Sequence, residues 1–118
     1  MSQPQRRIVL AEDDALVRVT VGGLVAEFGY AVTETASGAE ALAALEQPTD
    51  LLITDLNLPD MSGLALAAAA VLRQPRVGII IASGELNDGN VAYIWLTKPF
   101  TVSSLRSAIE RAMPTAPS

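Results

Sequence analysis

Asp50-Leu-Leu-Ile-Thr-Asp55-Leu-Asn-Leu-Pro-Asp-Met-Ser-Gly63 is the stretch on which the fold turns. Leu51, Leu52 and Ile53 form an unbroken apolar run, a single carboxylate follows at Asp55, and the chain then turns through Asn57, Pro59 and Gly63. An apolar run this short, bounded by turn formers, reads as a strand buried on both faces. Such a strand delivers Asp55 to its carboxyl end, where parallel α/β sheets place their ligand sites. Taken alone, Asp55 would serve equally well as a turn cap. The other strand ends have to decide.

Working outward, Ile8, Val9 and Leu10 predict a second buried strand that ends in Glu12, Asp13 and Asp14. A helix follows with its acidic residue at the favourable end of the dipole, and Val17, Val21, Leu24 and Phe28 recur at helical spacing before Gly29 stops it. Gly22 and Gly23 lie inside this helix at a cost of about 1 kcal/mol each relative to Ala. Residues 31–35 alternate apolar and polar, as an edge strand does. Ser37 and Glu40 have the spacing of a capping box for a helix through Ala41, Leu42 and Leu45, with Pro48 beyond its end. Ser62 caps a helix from Leu64 to Leu72, Val77 to Ala82 is a further apolar strand ending in Ser83-Gly84, and Tyr93 to Thr97 is the last strand. Thr101 opens a final helix with Leu105, Ala108, Ile109 and Ala112 on one face. Residues 84–92 carry two glycines and two asparagines, which is turn chemistry rather than helix chemistry. Strand and helix thus alternate five times, which predicts an α/β domain with a parallel sheet covered on both faces.

With 118 residues there is room for one domain and its core, not two. Half the residues are apolar and only 4% aromatic, so Leu, Ile, Val and Ala must build the core. Cysteine and histidine are both missing from the sequence, which excludes disulfides, thiolate metal sites and imidazole chemistry. The net charge of −5 argues against nucleic acid as a partner. No apolar run approaches the roughly 20 residues of a membrane span. These features predict a soluble, cytoplasmic, monomeric domain over residues 1–113, with a flexible tail over 114–118.

The predicted strand ends carry Glu12/Asp13, Asp55, Ser83 and Lys98, gathered along one sheet edge at strand separations of about 5 Å. Carboxylates this crowded repel unless a cation intervenes, and an all-oxygen donor set suits Mg²⁺, which also leaves room for a phosphoryl oxygen. Each member has a plainer reading: Glu12 and Asp13 as helix caps, Ser83 as a turn former, Lys98 as a solvated side chain. Lys98 is, however, the sole lysine among eight basic residues, and the groups agree on one edge.

These residues resemble the receiver domain of two-component response regulators over nearly the whole chain. The likeness rests on Ala11-Glu12-Asp13-Asp14, on Asp55-Leu-Asn-Leu-Pro59 with Gly63 beyond it, on Ile80-Ile-Ala-Ser83-Gly84, and on Lys98-Pro99-Phe100. It implies a flavodoxin-like, doubly wound five-stranded parallel sheet of order 2-1-3-4-5. It also implies that Asp55 is the phosphoacceptor for a phosphohistidine on a sensor histidine kinase or histidine phosphotransfer protein, with the phosphorylated domain then changing its binding to a downstream protein. By the same resemblance Asp13, Asp55 and the backbone carbonyl of Asn57 would bind Mg²⁺, with Glu12 on a metal-bound water. Ser83 and Lys98 would each hold a phosphoryl oxygen, and the bond before Pro99 would be cis. Asn57 and Glu85 would flank the path of the hydrolytic water, and their polarity predicts a self-dephosphorylating, short-lived phosphoryl group.

Two features depart from the family. Lys98 follows Ser83 by only 15 positions, so a fourth helix between them is expected to be short or disordered, as in some stand-alone receivers. Trp95 stands where the family places a Tyr or Phe that switches together with the hydroxyl of Ser83, and Trp95 reads equally as core. Two rival functions remain in view. One is an interaction module acting without phosphorylation. The other is a Mg²⁺-dependent hydrolase with an Asp nucleophile, which would want a second acid where this chain has Asn57.

Overall fold

The computed structural model describes residues 5–84 and 93–114. Within them the chain runs β1 (Arg7–Ala11), α1 (Ala15–Glu27), β2 (Ala31–Thr35), α2 (Gly38–Ala44), β3 (Leu51–Asp55), α3 (Gly63–Arg73), β4 (Gly78–Ser83), β5 (Ile94–Thr97) and α4 (Val102–Ala112). The five strands pair in parallel in the order β2-β1-β3-β4-β5. This is the flavodoxin-like arrangement expected, with the polar-alternating β2 at an edge and the apolar β1, β3 and β4 inside. Residues 85–92, and with them the expected short or disordered helix and Glu85, fall outside the described residues, as do 1–4 and 115–118.

Alternate residues along each inner strand supply the two cores. Val9, Leu52, Ile79 and Ile81 face α2 and α3, meeting Ala41, Leu45, Leu66 and Ala70. Ile8, Leu10, Leu51, Ile53 and Ile80 face α1 and α4, meeting Val21, Val25, Leu105 and Ile109. Because both faces are covered, the inner strands carry continuous apolar runs. Most of these side chains are fully buried, each contributing about 1.5–3 kcal/mol by leaving water.

Helix ends follow local chemistry. Asp14, Ser37, Ser62 and Thr101 cap the four described helices, each accepting from the backbone N–H three residues on. The full capping box is at Thr101–Ser104. At Ser37 the Glu40 carboxylate reaches the N–H of Ala36, one residue before the cap. Gly29, at φ 102°, lets the chain leave α1 in a conformation that side chains other than glycine's resist.

The edge of the sheet at the strands' amino ends is closed by two polar side chains. The Arg7 guanidinium donates to the Ala44 carbonyl at 3.0 Å and to Thr49 Oγ1 at 2.7 Å. Gln74 accepts from the Thr49 N–H and donates to the Leu45 and Gln47 carbonyls. Arg6 donates to the Pro114 carbonyl, tying the two ends of the described chain together.

Candidate phosphoacceptor site

Parallel pairing puts the carboxyl ends of β1, β3, β4 and β5 on one edge, and the register sets Asp55 beside Ala82 and Ser83 beside Thr97. Asp55 is the last residue of β3. Its Oδ1 accepts from the Leu56 N–H at 3.0 Å, and the buried Thr54 hydroxyl donates to its carbonyl at 2.9 Å. Gly63 packs against that carbonyl so closely that a Cβ would collide with it, and the Gly63 N–H donates to the Leu56 carbonyl at 2.6 Å. The backbone at Asp55 is therefore fixed from two sides.

Glu12, Asp13 and Asp55 each present a carboxylate oxygen, and these oxygens all lie within 4.8 Å of one another. Glu12 is buried while Asp13 is exposed at the mouth. The β1–α1 loop that carries the two acids is held by the Asp14 N–H on Glu12 Oε2 and by Arg18 donating to the Glu12 carbonyl at 3.0 Å. Lys98 Nζ lies 2.9 Å from Glu12 Oε1 and 3.3 Å from Asp55 Oδ1. Burial by itself pushes the Lys98 ammonium down. The Glu12 hydrogen bond and the charges of Asp55 and Glu12 outweigh that and hold its pKa above the ordinary lysine value. The Lys98–Pro99 bond is cis, as expected, and the Lys98 N–H donates to the Ser83 carbonyl at 2.8 Å.

Ser83 is buried at the end of β4, next to this cluster. Asn57 is exposed in the loop after β3, in an isolated antiparallel bridge with Ser62. The bonds of that bridge are made by Leu56 with Gly63 and by Leu58 with Met61. Asn57 is thus the non-hydrogen-bonded member of the ladder, and its own carbonyl is left out of it. Trp95 packs against the core formed with α2 and α3, and its Nε1 is buried without a partner among the described residues.

Three residues went unremarked in the sequence. Thr54 was visible as a lone hydroxyl in an apolar run. Arg18 was visible as a cation one turn into the helix after the acids. Asp60 gave no signal: its carboxylate accepts from the N–H groups of Gly38 at 2.8 Å and Ala39 at 2.9 Å, which lie on another element. Those two hydrogen bonds hold its carboxyl below the ordinary Asp value.

A family model for the response regulator receiver domain matches residues 8–110. The chain belongs to that family. This receiver domain is 34% identical to the transcriptional regulatory protein PdtaR of Mycobacterium tuberculosis, over 92% of its length and 57% of PdtaR's, so it spans little more than half of that relative. It is 35% identical to the response regulator receiver protein CpdR of Brucella abortus, covering 92% of this chain and 97% of CpdR. Among solved structures it superposes on the chemotaxis protein CheY4 of Vibrio cholerae with a TM-score of 0.86 at 26% identity, covering 93% of this chain and 100% of that one. Receiver domains are signalling modules of two-component systems, and the described residues contain no helix long and apolar enough to cross a membrane.

Proposed function

We propose that this receiver domain takes a phosphoryl group onto Asp55 from a phosphohistidine of a cytoplasmic sensor kinase or phosphotransfer protein, and signals through altered binding to a downstream protein. The carrying observation is the gathering of Asp55 with Glu12, Asp13 and Lys98 at one sheet edge. In the transfer, an Asp55 carboxylate oxygen forms a bond to phosphorus while the P–N bond to the donor imidazole breaks, and the imidazole leaves with its electron pair and is protonated. Phosphoryl transfer asks the protein for positioning and charge neutralisation more than for covalent help. In this reading Lys98 leaves Glu12 to meet a phosphoryl oxygen, and Ser83 donates to another.

The three gathered carboxylates fit Mg²⁺, offering oxygen and neither nitrogen nor sulfur, and the Asn57 carbonyl, left out of its ladder, is the further ligand proposed. Asp13, Asp55 and Asn57 would hold the ion, with Glu12 on its water. When bound, Mg²⁺ supplies positive charge against the phosphoryl oxygens. The donor protein is expected along the groove of about 510 Å³ lined by Leu16, Val17, Thr20, Val21, Pro99 and Phe100, whose wall also includes Lys98. That shared lysine puts the groove next to the acceptor. Asn57, exposed at the rim, is suited to orient the water that ends the signal; Glu85 is the other residue proposed for this.

Intact mass after incubation with acetyl phosphate and Mg²⁺ tests the proposal. The wild type should gain one phosphoryl group and Asp55→Asn none. An unmodified wild type would favour the interaction-module reading, and an Asp55→Asn protein that is still modified would remove Asp55 from the role.

A further inference from the structure

The loop between β3 and α3 is a small hairpin. Its base is fixed where Gly63 packs on the Asp55 carbonyl and donates to Leu56. Its tip is the turn Leu58-Pro59-Asp60-Met61, closed by the Leu58 N–H on the Met61 carbonyl at 3.1 Å. Asn57 lies between base and tip. The tip is anchored to a different element, because the Asp60 carboxylate spans the two backbone N–H groups at the start of α2, Gly38 and Ala39. The Met61 side chain also lies over Gly38, in space that any Cβ there would need.

Helix capping alone does not account for this arrangement. Ser37 already caps α2, accepting from the Glu40 N–H. Asp60 comes from 21 and 22 residues further along the chain, so its bonds join two parts of the fold. We infer that Asp60 is a positioning residue for the acceptor site: by tethering the hairpin tip to α2 it holds the Asn57 carbonyl in place to complete the Mg²⁺ site. The inference rests on the metal-site reading given under Proposed function. The cost of releasing the tip appears as the ordering that Mg²⁺ must then supply when it binds. A released carbonyl is a ligand that has to be recruited, not one already in position.

The test compares three variants of the full chain, read by Mg²⁺ titration calorimetry and by amide exchange without metal. Asp60→Ala should weaken Mg²⁺ binding about five-fold, the factor for one net hydrogen bond of lost ordering, and should speed exchange at the Leu58 N–H. Ser37→Ala, which removes the other cap of the same helix, should change neither reading. Asp60→Asn keeps one acceptor oxygen and should fall between Asp60→Ala and the wild type. Unchanged Mg²⁺ affinity in Asp60→Ala overturns the inference, whether or not exchange quickens. So does an equal loss in Ser37→Ala, since helix stability would then explain the effect. A wild type without any Mg²⁺ response would instead sink the metal-site reading, and the exchange arm would still decide whether Asp60 holds the hairpin.

Discussion

Replacing Lys98 by Met keeps most of the side chain's apolar length against the groove while removing the ammonium. At 2.9 Å from Glu12 and 3.3 Å from Asp55, each pair has a gross attraction of about 5 kcal/mol at an effective dielectric constant near 20. Most of this is offset, because the ammonium sheds part of its hydration and the lysine side chain remains 27% exposed. What persists is the exposure of a buried carboxylate, Glu12, to its neighbours without a counter-charge. A net loss of about 2 kcal/mol is expected in metal-free buffer, which for a domain of this size lowers the unfolding temperature by about 8 °C. The same substitution makes the cluster more negative. Mg²⁺ should therefore bind Lys98→Met about ten-fold more tightly than the wild type, and saturating metal should recover much of the lost stability. Thermal unfolding in chelator and across a Mg²⁺ titration measures both effects. A variant that unfolds at the wild-type temperature in chelator, or that binds Mg²⁺ more weakly, would refute the view that lysine and metal answer the same charge.

Because the folded-state pKa of Lys98 is raised, its contribution is complete below the unfolded value of about 10.4 and disappears as pH rises through the folded one. The stability difference between wild type and Lys98→Met should accordingly be flat from neutral pH to about 10 and shrink above it, as denaturant melts at stepped pH would show. Gly63→Ala places a Cβ against the Asp55 carbonyl, which is backbone and cannot swing away. A loss of about 3 kcal/mol is expected by urea unfolding, and a loss under 1 kcal/mol would mean the loop yields. Gly23→Ala meets nothing within 4 Å on the exposed side of α1, and should stabilise the protein by about 0.5–1 kcal/mol in the same assay.

The sheet was legible because its signals are local. Three apolar runs ending in polar residues define β1, β3 and β4, and the alternation of residues 31–35 marks an edge strand. Lys98 and the acids were legible for the same reason, since each lies at the end of a readable strand. Contacts between distant segments were not. The direct Glu12–Lys98 pair joins residues 86 apart, and nothing in either segment fixes which carboxylate the ammonium prefers. Gly22 looked like a penalty inside a helix, but a Cβ there would strike the Glu34 carboxylate from the neighbouring strand. Asp60 was unremarkable in a Leu-Pro-Asp-Met turn, because its partners belong to a helix that precedes it by a full strand. Residue types told where chemistry gathers, while the tethers that hold it still were tertiary.

The link from Arg6 to the Pro114 carbonyl carries a consequence for handling and for wiring this domain. Residue 6 precedes β1, and α4 ends where the Ala112 carbonyl crowds Gly78 at the start of β4, so both ends of the described chain leave from the underside of the sheet. The edge that carries Asp55 is the opposite rim. A surface attachment, a purification tag or a fused partner placed at either end therefore leaves the approach to Asp55 open. The same geometry makes the chain a candidate for circular permutation, with a short linker across the tied ends and new termini opened elsewhere. Any appended element that responds to Asp55 would have to read the change through the thickness of the domain or reach around it.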